Sequence, residues 1–168
     1  SHGDADHAGD IQSLYDYAQP NIAWTSQPER LNVTGFELCQ KGMRWQNSEL
    51  EVQVLYPFTN SDFSVLSSNN HSCVVRFTLM GKVFLLMGDL EGQTELELVE
   101  YYRDELKADV LIAGHHGAAK SSSYALLKHV QPDYIVFSAG YMNKFGHPSD
   151  AVLKRISEFG MQGYNTSD

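Results

Sequence analysis

Two rhythms of apolar and polar residues run along the chain. Ile11, Leu14, Tyr15 and Ala18 recur at helical spacing, so Asp10–Ala18 is expected to form a short helix that Pro20 stops. Ile22 to Thr25 reads as a short strand. Leu50 to Leu55 alternates apolar and polar residues, a half-buried strand ended by Pro57. Ser72–Leu79 and Lys82–Met87 are apolar runs joined at Met80-Gly81, the pattern of a hairpin. The helical rhythm then returns. Thr94-Glu95-Leu96-Glu97 has the capping-box pattern and opens a helix running to about Leu106. Asp109–Ala113 and Tyr134–Ser138 are short buried strands, with a helix (Tyr124–Val130) between them that Ser121 to Ser123 can cap. Pro148 and Ser149 open a last helix, closed by Gly160.

A helix, a run of antiparallel strands, then alternating strand and helix predict an α/β (or α+β) fold with sheet layers covered by helices. The 168 residues suffice for one domain spanning 1–168, and 42% hydrophobic content supports a packed core. No apolar run approaches the ~18 residues of a membrane-spanning helix. A net charge of −9 argues against a surface that coats nucleic acid through charge alone. Cys39 and Cys73 are too few for a zinc knuckle, and they read as core residues that could also pair.

The densest chemistry lies at the start, Ser1-His2-Gly3-Asp4-Ala5-Asp6-His7-Ala8-Gly9-Asp10. His2, Asp4, Asp6 and His7 converge only if the backbone turns sharply, which Gly3 and Ala5 permit. Two imidazoles and two carboxylates gathered together call for cations, because buried unpaired carboxylates are costly. A solvated acidic terminus is the plainer alternative. Two strand ends decide between them: Gly88-Asp89 follows one apolar run and His115-His116 another. If these meet the opening motif at one sheet edge, His2 and Asp4 would hold one ion. Asp6, His7 and one of His115 and His116 would hold the other, with Asp89 bridging. A hydroxide between two such ions is a nucleophile at neutral pH, and the carboxylate-rich set suits Mn²⁺ or Mg²⁺ while admitting Zn²⁺. Asp6 and His147 are the candidate catalytic residues, His147 as a general acid or phosphate ligand. Lys120, Ser121 and Ser122, at a helix start, are weaker candidates for holding substrate phosphate.

His2-x-Asp4-x-Asp6-His7-x-Gly9 resembles the metal-binding signature of the metallo-β-lactamase fold. Asn69-Asn70-x-Ser72, Gly88-Asp89-Leu90, His115-His116-Gly117, Gly146-His147-Pro148-Ser149 and Cys39-x-x-Gly42-x-x-Trp45 are similar to the C-terminal domain of ComEC-type DNA-uptake competence proteins. The resemblance implies an αββα sandwich whose metal site lies at one edge of the sheets, and a chain that starts after strands normally preceding the signature. It also implies a metal-dependent nuclease holding two divalent ions, Mn or Zn, that degrades one strand of incoming DNA. This would be a soluble part of an inner-membrane protein, on the periplasmic side, working beside that protein's channel domain. His2, Asp4, Asp6, His7, Asp89 and His115 or His116 match the ligand positions. Asp10 departs from the usual second glycine, and His71 stands in the region of the separate third histidine. A non-catalytic module guiding DNA and a hydrolase of another ester are the alternatives. Without a preceding strand, the opening motif is expected to be loosely held.

Overall fold

A computed structural model describes all residues, Ser1–Asp168. The chain opens with two short helices, α1 (Ala5–Ala8) and α2 (Ile11–Ala18). Strands β1 (Trp24–Thr25) and β2 (Glu37–Leu38) then pair in parallel as a small separate ladder. The remaining strands form one seven-stranded sheet in chain order. They are β3 (Arg44–Gln46), β4 (Leu50–Tyr56), β5 (Val74–Leu79), β6 (Lys82–Leu86), β7 (Val110–Ile112), β8 (Tyr134–Phe137) and β9 (Gln162–Asn165). β3 to β6 are antiparallel neighbours, and β6 to β9 run parallel. Beside this large sheet, where the expected αββα sandwich has a second full sheet, stands only the two-stranded ladder.

Parallel neighbours require crossovers, and these are helical: α3 (Gly92–Tyr102), α4 (Tyr124–Val130) and α5 (Asp150–Glu158). All three cover the same face. Leu98, Val99, Leu126, Leu127, Val152 and Ile156 from the helices share one core cluster with Leu85, Leu111, Ile135 and Phe137 from the strands. At about 25 cal/mol per Å² of apolar surface, burying such side chains contributes roughly 1.5–3 kcal/mol each. On the opposite face Val54, Val75, Leu86 and Ile112 lie side by side in register. With Trp24 and the Cys39–Cys73 pair they wall a cavity of about 410 Å³ that reaches His7, Asp89 and His116.

Several elements differ from expectation. α3 begins at Gly92 behind Glu91, so Thr94 and Glu95 lie inside the helix, both buried. Glu95 is turned inward for a reason: its carboxylate accepts from the N–H of Ser122 (2.8 Å) and of Ser123 (2.7 Å). Arg155 holds the same loop from the carbonyl side, donating to Ala119 and Ser121 at 2.8 Å each. β3 and β9 were not legible in the pattern. Cys39 and Cys73 are buried as expected, but they are joined as a disulfide. α2 has no buried residue, and Leu14 and Tyr17 on it face solvent.

Candidate metal centre

The parallel strands deliver their C-terminal ends to one edge, where loops of α/β sheets form sites. β6 empties into Gly88-Asp89. Gly88 has φ +55°, and a Cβ there would stand 2.6 Å from that of Ser72, so glycine lets the two backbones close. That approach allows the Ser72 hydroxyl to accept from the Asp89 N–H (2.8 Å) and to contact His2 Nδ1 (3.2 Å). β7 leads through Ala113-Gly114 to His115 and His116, both in left-handed backbone.

The opening segment bends as the small residues permit. Asp4 caps α1, its carbonyl accepting from the N–H groups of His7 and Ala8. The arm is seated firmly, contrary to the expectation of a loose loop. Ser1 O accepts from the Ser26 N–H (3.1 Å) and hydroxyl (2.9 Å), and the Gly3 N–H donates to Gln27 (2.9 Å). Asp4 Oδ1 accepts from Arg30 (2.8 Å) and Ser68 (2.7 Å). As a result His2 is only 1% exposed.

Asp89 joins the two groups. Its Oδ1 lies 2.9 Å from His7 Nε2 and 3.7 Å from His116 Nε2, and His116 Nε2 is 3.3 Å from Asp6 Oδ2. Its Oδ2 lies 4.0 Å from His2 Nε2 and 3.9 Å from His115 Nε2, and His2 Nε2 is 3.5 Å from Asp4 Oδ2. The far nitrogens are fixed. His116 Nδ1 donates to Ser138 O (2.7 Å), and His115 Nδ1 is 3.0 Å from Glu91 Oε2. Such bonds leave each Nε2 with its lone pair turned inward.

Burial lowers the pKa of His2, reinforced by His7 beside it. Burial pushes Asp89 up, but His7, His116 and His115 outweigh it and hold the carboxyl below its usual range. Burial therefore favours the neutral form of the His2 imidazole beside an ionised Asp89 carboxylate, a pairing that can ligate metal. Several polar atoms of the cluster are unsatisfied. His2 Nε2, His116 Nε2 and His147 Nδ1 are buried without a hydrogen-bond partner, and His7 Nε2 and Asp89 Oδ1 have only each other, at 2.9 Å. Ligand atoms of His2, His7 and Asp89 lie within 4.8 Å of one another, as do those of Asp6, His7 and His116. Buried orphans of this kind are rare unless an ion or water completes them, and a mixed nitrogen–oxygen set suits a divalent cation. The residues fit such an ion.

The family model of the Metallo-beta-lactamase superfamily matches residues 1–140. The chain belongs to this superfamily. It is 36% identical over 162 residues to Competence protein ComA of Neisseria gonorrhoeae, covering 96% of this chain and 22% of that protein. It is 32% identical to Recombination protein 2 of Haemophilus influenzae, over 99% of this chain and 20% of the relative. ComE operon protein 3 of Bacillus subtilis is 28% identical over 99% of the chain and 23% of its own length. The chain thus spans about a fifth of the curated relatives it matches. Among solved structures, the metallo-beta-lactamase fold protein YhfI of Bacillus subtilis superposes with a TM-score of 0.60. The two are 13% identical, with 99% of this chain and 73% of that one covered. A CmlA beta-hydroxylase mutant gives 0.62 at 11% identity, over 98% of this chain and 42% of the other.

The other candidates fare differently. His71 is committed elsewhere, with Nδ1 2.7 Å from Gln27 Nε2 and Nε2 3.1 Å from Phe63 O, so it takes no part in the cluster. The phosphate reading is overturned for Ser121 and Ser122, while Lys120 beside them is exposed. Ser121 and Ser122 are 0% exposed, and the Ser122 N–H is already given to Glu95. Ser123 serves as the N-cap of α4. His147 stands beside the cluster, its ring 5.6 Å from that of His115. Burial lowers its pKa, and His115 and His116 lower it further. Sequence reading missed Glu91, Arg30 and Ser68. Of these, only Glu91 left a signal, as a carboxylate two residues beyond Asp89.

Proposed function

We propose that this chain is a metal-dependent hydrolase that cleaves DNA phosphodiesters during DNA uptake. The observation carrying this reading is the convergence of four imidazole nitrogens, those of His2, His7, His115 and His116, on the two oxygens of the buried Asp89. Asp89 Oδ2 with His2, Asp4 and His115 would hold one divalent ion, and Oδ1 with Asp6, His7 and His116 the second. Bound there, Mn²⁺ or Zn²⁺ would supply a nucleophile from water at neutral pH and offset charge on the attacked phosphoryl group. The protein's own part is to fix these donors. His116 is held by Ser138 and His115 by Glu91, so the cluster needs no rearrangement when charge develops. His147, its ring 5.6 Å from that of His115, would bind the phosphate or, in the protonated form that burial disfavours, give a proton to the leaving oxygen.

The names of the competence and recombination relatives support DNA as the substrate, and the resemblance to ComEC-type proteins implies a channel domain as the partner region. The disulfide favours an oxidising compartment such as the periplasm. No helix here is long and apolar enough to cross a membrane. The test is cleavage of end-labelled single- and double-stranded DNA with Mn²⁺. The wild-type chain cuts, and Asp89→Asn loses roughly 10³-fold or more of the rate, several kcal/mol of transition-state stabilisation. Bound metal with intact DNA would instead favour the non-catalytic guide.

A further inference from the structure

The loop after β8 contains a feature that the metal cluster does not use. Tyr141, Met142 and Phe145 are 80%, 84% and 69% exposed. Single exposed apolar side chains are ordinary, whereas three within one loop mark a contact surface. The loop is also braced. The Asn143 amide donates to Gly140 O (3.2 Å) and His147 O (2.7 Å), and its Oδ1 accepts from the His147 N–H (2.8 Å). The Phe145 ring stacks on His147 at 5.8 Å with a 21° interplanar angle. Bracing of this kind presents the rings at little ordering cost.

Between this loop and the donor cluster lies a cavity of about 230 Å³, lined among others by Asp6, His116, Ser138, Asn143, Phe145 and His147. One end opens on candidate metal ligands and the other on an aromatic ring. Ser138 to His147 contains no carboxylate and carries Lys144, whose Nζ is 5.0 Å from the Phe145 centroid. In a chain of net charge −9 this loop adds no acidic side chain to a cavity whose one carboxylate is that of Asp6. A polyanion that cannot be held by general charge attraction needs affinity from elsewhere, and stacking on aromatic rings supplies it.

We propose that the Gly140–His147 loop is a nucleobase subsite, with Phe145 and Tyr141 as stacking platforms for bases flanking the phosphodiester to be cut. This rests on the DNA-cleaving reading and adds to it that the strand engaged is single, since a paired base is not free to stack on protein. Base identity matters little here, because every base has a π-face.

The experiment measures binding of a fluorescein-labelled oligothymidylate to the full chain in EDTA, by anisotropy, beside a strand of equal length carrying abasic sites. Phe145→Ala and Tyr141→Ala should each weaken binding to the base-bearing strand about tenfold and leave the abasic strand unaffected, whereas Phe145→Trp should keep the wild-type affinity. A 2-aminopurine probe should be quenched by the wild-type chain and not by Phe145→Ala. Equal affinity of Phe145→Ala and wild type, or an equal loss on the abasic strand, overturns the subsite. So does loop-dependent binding to phosphatidylglycerol vesicles in place of the oligonucleotide. A chain that binds through Phe145 yet cuts nothing with Mn²⁺ supports the subsite and removes only the cleaving role. A chain that cuts while Phe145→Ala binds normally does the reverse.

Discussion

The two halves of the donor cluster are held in different ways. Asp89, His115 and His116 are carried on the ends of central strands whose inner faces sit in the main core. Their positions follow from the packing of the sheet against α3, α4 and α5. His2, Asp4, Asp6 and His7 arrive on an arm whose short helix buries no residue at all. That arm is placed by hydrogen bonds to Ser26, Gln27, Arg30 and Ser68, side chains from surrounding loops. One half is set by burial and the other by polar tethers. A metal site can therefore be half rigid by construction, with its second half only as secure as the loops beneath it.

Breaking the disulfide should separate the halves most clearly. Cys73 adjoins Ser72, which contacts both His2 and Asp89, and its pairing with Cys39 spans 34 residues. A closure of that length is worth about 3–4 kcal/mol. Replacing both cysteines by serine should lower the denaturation midpoint accordingly, with amide exchange in Ser1–Asp10 accelerating more than in β6 and β7. Equal acceleration in both would remove the distinction. Next in size is Glu91→Gln, which acts on the strand-end half alone. Loss of the carboxylate that orients His115 should weaken metal binding by about 10- to 100-fold in a calorimetric titration, with little change in stability. Smallest is Arg30→Ala on the arm. Its pair with Asp4 is partly exposed, at 42% and 33% for the two side chains, so the loss should be about 1 kcal/mol or less in a chemical melt. A larger loss there would mean that Arg30 organises the arm as a whole.

Much of this arrangement was legible in the sequence because strand ends and the opening motif are local patterns. Gly88-Asp89 and His115-His116 each close an apolar run, and the spacing of His2 to His7 is compact enough to read directly. β3 and β9 were not legible for a physical reason. Arg44–Gln46 has one half-buried residue between two exposed ones, and Gln162–Asn165 is a mostly exposed edge strand, so neither has a buried face to pattern. The polar tethers were hidden too, since Asp4 meets Ser68 across 64 residues and Gly3 meets Gln27 across 24. Glu95 misled because the same residue that suits a cap also suits a buried acceptor for distant N–H groups. The serines it binds then mimicked a phosphate loop.

His115 and His116 sit consecutively in left-handed backbone, at φ 46° and 54°. For residues with a side chain that conformation costs roughly 1–2 kcal/mol each. Glycine would relieve the strain and remove the donors. A directed-evolution screen for heat resistance, run in chelator, would therefore select against these two imidazoles and enrich robust chains with an incomplete cluster. Run with metal present, the same screen would retain them. What counts as the best-folded variant of this chain depends on the ions in the buffer.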